Sequence, residues 1–255
     1  MGEAIQLTPA EAKYLLTPNM SGMGVIKVML LMLIARGLLR VEETQARGLL
    51  GQKKIAHLRV ASQATANSPG VSALLDTVRE AQADDGTVKA VAKRARRDFA
   101  PEGTGFVRRF IAPALIERGL LWERKFLFVR LYTRTPQGNS EAERIKAEIV
   151  RAKEIPKLLQ SDPAQAATLA ASLGGLLLLV DKLNAHYKPL AAAMRDSGMT
   201  SDIATSDGFD FGGFDAAAFD ASAFDALGSD LSSFDSGFSD GGGGDGDGGD
   251  SSGHH

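Results

Sequence analysis

Aspartate recurs at every fifth residue from Asp210 to Asp250, nine times in succession. A repeat of five matches neither the 3.6-residue turn of an α-helix nor the two-residue alternation of a β-strand, so it creates no continuous apolar face. Glycine, serine and alanine fill most other positions here, and such a segment buries too little apolar surface to offset the entropy lost on ordering. We therefore predict that residues 201–255 form a disordered acidic tail and that residues 1–200 form the folded domain.

The aspartate repeat also separates two parts of opposite charge. The tail contains 12 Asp and no Glu, Lys or Arg, whereas all 29 Lys and Arg and the other 19 acidic residues precede it. The formal charges are therefore −12 and +10, although the whole chain carries only −2. The simplest interpretation is a solubilising tail. A second hypothesis is that the tail is a ligand, for its own basic domain or for a partner, with phenylalanines as contact points at Phe209, Phe214, Phe219, Phe224 and Phe234.

The composition argues against several classes of protein. The chain has no cysteine, so neither a disulfide framework nor a cysteine-ligated metal site can form. No histidine of the domain has a second metal ligand at suitable spacing, and no glycine-rich phosphate loop or nucleophile motif occurs. We therefore predict no catalytic residue, no metal and no cofactor. The lack of cysteine and of a secretory signal pattern leads us to expect a cytoplasmic protein.

Two apolar stretches, 28–35 and 163–180, invite comparison with membrane spans. A spanning helix needs about 20 strongly apolar residues; the first stretch is too short, and the second contains polar residues and the pair Gly174-Gly175. We predict that both are buried helices of a soluble fold, and that the glycine pair lets another backbone pack closely.

Capping and periodicity predict a mainly α-helical domain. Thr8, Pro9 and Glu11 form the pattern of a capping box at the start of a helix that runs to about Leu16. Pro136 and Gly138 predict a loop. Further helices are predicted at 23–36, from 68 to a break at 84–87, and at 89–99, 104–118, 140–155, 163–183 and 187–196.

A seven-residue pattern occurs twice, as LIARGLL at 33–39 and as LIERGLL at 115–121. Each copy predicts a helix, a glycine that ends it and an apolar strand. We expect strands at 38–41 and 55–60 around a loop at 42–54, and a second hairpin at 120–132 with 123–125 at its tip. A helix followed by a hairpin, used twice, is also the outline of a tandem winged-helix protein that binds nucleic acid, which is an alternative.

The order of these segments resembles the Golgi phosphoprotein 3 family over roughly residues 5–190. The resemblance implies a mostly helical fold with small hairpins that binds membranes containing phosphatidylinositol 4-phosphate. The matching blocks are ARGLLRVE at 35–42, SPG at 68–70 with LLD at 74–76, FVRR at 106–109 leading to LIERGLLWERKFLF at 115–128, and the Asp162-Pro163 start of the apolar helix to 183.

The family holds the lipid headgroup with four side chains. Two are arginines near the start of the helix before the hairpin, and two are a Trp and an Arg before the first apolar helix. Arg108 occupies one position of the arginine pair and Gly105 the other, with Arg109 adjacent. The Trp and Arg positions hold Thr17 and Ile26 here, and Lys27 follows Ile26.

The second hairpin also combines basic residues, Arg124 and Lys125, with the apolar residues Trp122, Phe126, Leu127 and Phe128. Such a ribbon can enter the headgroup boundary of a bilayer while its cations meet anionic lipid; the alternative is that the apolar residues pack on the domain and the charges are solvated. We predict a peripheral membrane protein that binds an anionic lipid or phosphoinositide surface. The predicted contact residues are Lys27, Arg108, Arg109, Trp122, Arg124, Lys125, Phe126, Leu127 and Phe128.

Three further hypotheses concern charge. Lys89, Lys93 and Arg97 share a helix face, for which solvation is the simplest interpretation and attraction to phosphate the alternative. The acidic tail is expected to contact the domain and compete with lipid. Nucleic acid is a less favoured partner, because the hairpin carries Trp and Phe where a DNA-binding wing is usually polar. A scaffold with the Phe-Asp tail as its ligand is the remaining alternative.

Overall fold

The first two helices are α1 (Pro9–Leu16) and α2 (Gly22–Ala35). The predicted capping box is present: the Thr8 hydroxyl accepts from the Glu11 N–H at 3.0 Å, and the Glu11 carboxylate accepts from the Thr8 N–H at 2.7 Å. Helix α2 buries 12 of its 14 residues, because a helix that is apolar on every side has to be enclosed on every side. It therefore forms the centre of the fold.

The computed structural model describes residues 6–48, 51–62, 64, 66, 68–127, 129–180, 183, 186–198, 227 and 230–235. Within these ranges only the backbone is described at 46–48, 51–53, 126, 129 and 235. Most of 201–255 lies outside the described residues. The predicted disorder of this tail therefore concerns mainly residues that the structure does not describe.

Both copies of the sequence repeat form the predicted helix end. Gly37 and Gly119 have φ values of +67° and +70°, in the left-handed region where glycine carries no Cβ penalty. In each copy the N–H of the following leucine bonds the carbonyl five residues back, at 2.9 and 2.8 Å, which closes a Schellman motif. Each helix then leads directly into a hairpin.

The first hairpin is longer than its sequence predicts. Strands β1 (Leu39–Gly48) and β2 (Gly51–Val60) pair antiparallel along their whole length. The predicted loop at 42–54 is therefore wrong, since 42–48 and 51–54 belong to the two strands. Residues 42–45 are exposed, so this part of the ribbon has no buried face and lacks the apolar alternation that identifies a strand.

Helices α3 (Pro69–Asp84) and α4 (Val88–Asp98) follow and pack on each other. The predicted break at 84–87 separates them. The hydroxyls of Ser68 and Thr87 accept from N–H groups in the first turns of α3 and α4. As predicted, one face of α3 is buried through Val71, Leu74, Leu75 and Val78.

The helix before the second hairpin contains a π-helical turn. It consists of α5 (Thr104–Phe106), the π turn (Val107–Ile111) and α6 (Ala112–Glu117), together called the 104–117 helix. The Ala112 N–H donates to the carbonyl five residues earlier. Pro113 explains this register, because it has no N–H and its ring would collide with the carbonyl four residues back in a regular α-helix.

The second hairpin consists of β3 (Leu121–Phe126) and β4 (Val129–Arg134), paired antiparallel. The prediction that 123–125 form the tip is wrong, because these residues lie along β3. At the turn Leu127 has a φ of +51°. Glycine or asparagine usually takes this conformation, so a leucine gives no sequence signal for a turn.

The next helix, α7 (Pro136–Ala152), begins earlier than predicted. Proline is well suited to the first helical position because its missing N–H has no helical acceptor there. The Thr135 hydroxyl caps the helix by accepting from the Gly138 N–H at 2.8 Å. The predicted loop at Pro136 and Gly138 is therefore wrong.

Helix α8 (Ile155–Ser161) was not predicted, whereas the Asp162 cap of α9 (Pro163–Leu173) was. The prediction of one helix from 163 to 183 is wrong, since a 3-10 segment (Gly174–Leu179) follows α9. At Gly175 the close neighbour is a side chain rather than the expected backbone, since a Cβ there would lie 2.7 Å from the Pro9 ring. Helix α10 (Tyr187–Asp196) closes the domain as predicted.

A short part of the tail joins the hydrophobic core. Leu227, Leu231 and Phe234 are 0 %, 4 % and 2 % exposed, and α11 (Ser232–Asp235) contacts α2 and α4. The structure differs here from the expectation that 201–255 contains no regular element. The reason is that these three residues are spaced four and three apart, a helical spacing that the five-residue aspartate repeat conceals.

The described residues form a mainly α-helical domain with two small antiparallel hairpins, as predicted. The apolar stretch 28–35 is wholly buried within α2, and α9 with its 3-10 extension buries one side. None of the helices in the described part of the chain is long and apolar enough to cross a bilayer.

Candidate functional site

The 104–117 helix presents two adjacent arginines to solvent. Arg108 and Arg109 lie on the π turn and are exposed, whereas Val107 and Ile111 of the same turn are each 3 % exposed. Neither guanidinium has a hydrogen bond or an ion pair with any described residue. Their donor groups therefore remain available to an anion such as a phosphate.

Hydrogen bonds hold the second hairpin to the end of α1. The Asn19 side chain donates to the Tyr132 carbonyl at 2.8 Å and accepts from the Tyr132 N–H at 2.9 Å. Arg134 donates to the carbonyls of Leu15, at 2.6 Å, and Leu16, where the helix dipole favours a cation. The hairpin base is thereby fixed relative to the domain.

Tyr14 connects this network to the arginines. Its ring meets that of Tyr132 edge-on, with centroids 6.1 Å apart. Burial raises the pKa of Tyr14 to about 12, while a hydrogen bond from the Asn19 backbone and the positive charge of Arg108 act in the opposite direction. Tyr14 is therefore a neutral phenol at ordinary pH, and Arg108 lies close enough to act on it electrostatically.

Two glycines bring the start of α2 against the start of the 104–117 helix. A Cβ on Gly22 would lie 2.0 Å from the carbonyl oxygen of Gly103, so a side chain cannot be accommodated there without backbone movement. Beside this contact the Ser21 hydroxyl donates to the carbonyl of Glu102 at 3.2 Å. The end of α1, the start of α2, the 104–117 helix and the hairpin are thus tied together at one corner of the domain.

The positions that the resemblance assigns to a headgroup lie in these elements but differ in accessibility. Thr17 is exposed at the end of α1, whereas Ile26 is fully buried. A Cβ on Gly105 would lie 3.1 Å from the Ala100 carbonyl oxygen, so that position leaves little space for a side chain. Lys27 is half-buried on α2. Of the three cations predicted near the headgroup, Lys27, Arg108 and Arg109, only the two arginines are exposed.

The outer face of the hairpin carries exposed apolar side chains. We use this name for Trp122, Arg124, Leu131 and Thr133, which strand alternation and the cross-strand register place on one face. Trp122 is 51 % and Leu131 45 % exposed. Trp122 lies opposite Thr133, and Arg124 lies opposite Leu131. Arg124 therefore neighbours two apolar side chains, Leu131 across the hairpin and Trp122 on its own strand.

The tip and the opposite face add one apolar residue and further charge. Leu127 at the turn is 83 % exposed. Arg124 and Lys125 are exposed and have no ion pair with a described residue, whereas Arg130 pairs with Glu123 at 3.1 Å. Phe128 and the side chain of Phe126, both predicted contacts, lie outside the described residues.

Leu131 is a candidate contact that the sequence did not reveal. Its position on the outer face depends on the strand register, and a one-residue change in register exchanges the two faces of a strand. The turn was expected at 123–125 rather than around Leu127, so the face of Leu131 could not be assigned. The alternation in VRLYTR at 129–134 would have indicated it once the turn was placed.

Two other surfaces stand apart from these residues. Lys89, Lys93 and Arg97 are exposed on α4 as predicted, and Arg97 contacts Asp98 at 3.4 Å. A groove of about 500 Å³ is lined by Arg151, Glu154, Leu158, Gln165, Thr168, Leu169 and Ser172. None of the predicted contact residues lines this groove. Within the described ranges no group of three or more metal-ligating side chains occurs.

Comparison of the chain with protein-family models, with curated proteins and with solved structures gives no match.

Proposed function

We propose that the protein is a peripheral membrane protein that binds anionic lipid through the outer face of its second hairpin, Leu127, and Arg108 with Arg109. The observation that carries this proposal is the exposed Trp122, Leu127 and Leu131 beside cations that have no hydrogen bond or ion pair with a described residue. Clustered exposed apolar side chains are uncommon on a monomeric protein surface and usually indicate an interaction site.

The apolar residues supply the first part of the binding free energy. Full burial of one Leu or Phe-sized side chain stabilises a complex by about 1.5–3 kcal/mol. Tryptophan is at home at the headgroup boundary because its ring is apolar and its N–H can remain hydrated. Trp122, Leu127 and Leu131 would enter only the boundary region, so each would contribute part of the free energy of full burial.

The cations supply the second part. A Lys or Arg near an anionic bilayer surface contributes about 1 kcal/mol, and a guanidinium can donate two parallel hydrogen bonds to a phosphate. The resemblance to the Golgi phosphoprotein 3 family makes phosphatidylinositol 4-phosphate the first lipid to test. Because Thr17 and buried Ile26 occupy two of the family's headgroup positions, we propose that charge rather than a closed headgroup pocket dominates the lipid preference.

The tandem winged-helix alternative rests on the helix and hairpin found in both copies of the repeat. Nucleic-acid recognition by this fold needs an exposed helix in a groove. In the first copy the corresponding helix, α2, is buried at 12 of 14 positions. In the second copy the hairpin exposes Trp122 and Leu131 rather than polar residues. These features favour lipid over DNA.

The test is co-sedimentation of the full chain with vesicles of phosphatidylcholine alone, with added phosphatidylserine, or with added phosphatidylinositol 4-phosphate. The hairpin variant is Trp122→Ser with Leu131→Ser. Its matched control is Val150→Ser, because Val150 is also an exposed apolar residue, at 59 %. Val150 lies near the far end of α7, roughly 20 Å along the helix from its start beside the hairpin.

The charge variant is Arg108→Ala with Arg109→Ala, and its control is Lys153→Ala with Lys157→Ala, two exposed cations without ion pairs among the described residues. Loss of two cations at the contact should weaken binding to anionic vesicles about 20- to 30-fold. The hairpin variant should weaken it at least about tenfold. Both controls should bind like the unmodified chain.

Equal weakening by contact and control variants, or no binding of the unmodified chain to anionic vesicles, would contradict the proposal. A DNA duplex included as competitor separates the two candidate functions: binding to DNA without binding to vesicles would favour the winged-helix alternative. Tighter vesicle binding at low salt after Asp→Asn changes in the tail is the expected sign of competition between tail and lipid.

A further inference from the structure

The described part of the tail contacts the domain through one helical face. Leu227, Leu231 and Phe234 follow each other at intervals of four and three residues, and none is more than 4 % exposed. The N–H groups of Leu231 and Phe234 donate to the carbonyls of Leu227 and Leu231 at 3.0 and 3.1 Å. We name Leu227 and 230–234 the C-terminal latch. Its apolar residues belong to the same core cluster as α2 and α4.

The outer edge of β2 forms one wall of the groove that holds the latch. In an antiparallel pair, alternate N–H groups of a strand point away from its partner. The outward N–H of Leu58 donates to the Gly86 carbonyl at 2.9 Å. The next outward N–H, that of Ala56, donates to the Asp230 carboxylate at 3.4 Å. Asp230 of the latch thus occupies an acceptor position at a strand edge.

Arg96 of α4 forms the opposite contact. Its Nη2 donates to the Ser233 carbonyl at 2.5 Å, and its Nε lies 3.6 Å from the Glu102 carboxylate. The guanidinium is mostly buried, with 17 % of the side chain exposed. The Arg96 guanidinium binds a backbone carbonyl at the end of a helical turn. This contact therefore depends on the helical conformation of the segment rather than on a particular side chain.

The sequence of the tail allows this contact in one register only. Leu227 and Leu231 are the only leucines between 201 and 255. A shift by one five-residue repeat toward the N-terminus retains the aspartates but replaces the two leucines by Ser and Ala. Most larger shifts also place small or polar residues at both leucine positions. The groove therefore selects one segment from a tail whose Phe-Asp pairs recur.

We propose that the groove between α2, α4 and the edge of β2 is a binding site for a short acidic peptide of the form Leu-x3-Leu-x2-Phe, which the chain fills with its own C-terminal latch. The gain from burying three apolar side chains is of the same order as the entropy lost on ordering the segment. The latch is therefore exchangeable, and a segment of the same pattern supplied by another molecule can replace it. This site is independent of the proposed lipid contact.

The test uses the full chain with Leu231→Ser and Phe234→Ser, which empties the groove, and a fluorescent peptide of residues 224–237. The matched control is a peptide of residues 214–227. Both peptides have 14 residues and three aspartates, and the control has three phenylalanines against two. The control peptide lacks the Leu-x3-Leu-x2-Phe spacing. If binding came only from a general attraction of Phe and Asp to a basic domain, the control peptide would therefore bind as well.

The variant is expected to bind the 224–237 peptide at least about tenfold more tightly than the control peptide, since one buried Leu or Phe is worth that much. The unmodified chain should bind the 224–237 peptide at least about tenfold more weakly than the variant does, because its own latch competes at high local concentration. Equal binding of both peptides, or no difference between variant and unmodified chain, would overturn the proposal.

A second measurement needs no variant. In the unmodified chain, hydrogen exchange at the amides of Leu231 and Phe234 should be at least about tenfold slower than in the free 224–237 peptide, because the docked segment must open before exchange. Equal rates would show that the latch is not held in solution, and would overturn the proposal even if the variant fails to fold.

Discussion

At Gly22 the helix α2 packs directly against the residues that precede the 104–117 helix. Replacement of Gly22 by alanine should therefore destabilise the domain. A Cβ at this position would lie 2.0 Å from the Gly103 carbonyl oxygen, 2.2 Å from its carbonyl carbon and 2.8 Å from the Thr104 nitrogen. All three opposing atoms belong to the backbone. No rotation of a side chain can relieve the overlap, so two packed segments have to separate.

The size of the effect follows from this geometry. Real Cβ atoms essentially never approach another heavy atom within 3.0 Å, so the segments must move apart by about 1 Å in a closely packed region. Overpacking of this kind costs about 1–3 kcal/mol. Because all three opposing atoms belong to the rigid peptide group between Gly103 and Thr104, we expect the upper end, about 3 kcal/mol of the free energy of unfolding.

Urea unfolding followed by far-ultraviolet circular dichroism measures this loss. With an m value of about 2–3 kcal/mol per molar urea, a loss of about 3 kcal/mol lowers the midpoint by about 1–1.5 M. The control is Gly24→Ala in the same helix turn, where the new Cβ meets only the flexible end of Met20, at 2.7 Å. That change should stay within about 1 kcal/mol. Equal stabilities of the two variants would show that the contact between Gly22 and the Gly103 backbone tolerates a Cβ.

Three further predictions concern stability and the hairpin. Thr8→Ala should lower the free energy of unfolding by about 1 kcal/mol in urea titration, because it removes the cap of α1. Tyr14 ionises near pH 10 in the unfolded chain and near pH 12 in the folded chain. The free energy of unfolding should therefore fall as pH rises between these values, by up to about 1.4 kcal/mol per pH unit. Tyr14→Phe should remove this contribution to the pH dependence of the free energy of unfolding. Leu127→Gly should stabilise the hairpin by up to about 1 kcal/mol in thermal unfolding, since it relieves a positive φ, yet weaken vesicle binding; an unchanged affinity would remove Leu127 from the proposed lipid contact.

Local signals in the sequence predicted the parts of the fold that depend on local chemistry. The capping box at Thr8 and Glu11, the Asp162 cap and both glycine helix ends are present because each needs only neighbouring residues. The burial of 12 of the 14 residues of α2 follows from its apolar composition. These features place the 104–117 helix and the hairpin next to each other in sequence and in space.

The incorrect predictions concern features that depend on partners distant in sequence. The first hairpin exposes residues 42–45, so its polar residues resemble a loop. The tip of the second hairpin is formed around Leu127, which has no turn propensity. The contact of Leu227, Leu231 and Phe234 with the domain could not be predicted, because a single helical turn has no stability of its own and depends on α2, α4 and the edge of β2.

Trp122 provides the most direct test of the proposed membrane contact, because it is the only tryptophan of the chain and is 51 % exposed. Its fluorescence should be measured for the full chain during titration with vesicles containing phosphatidylserine or phosphatidylinositol 4-phosphate, with and without bromine-labelled acyl chains. Insertion of Trp122 into the headgroup boundary of anionic membranes predicts a blue shift of the emission and quenching by the labelled lipid, with neither effect for phosphatidylcholine alone. An emission spectrum that stays unchanged with every vesicle would contradict it.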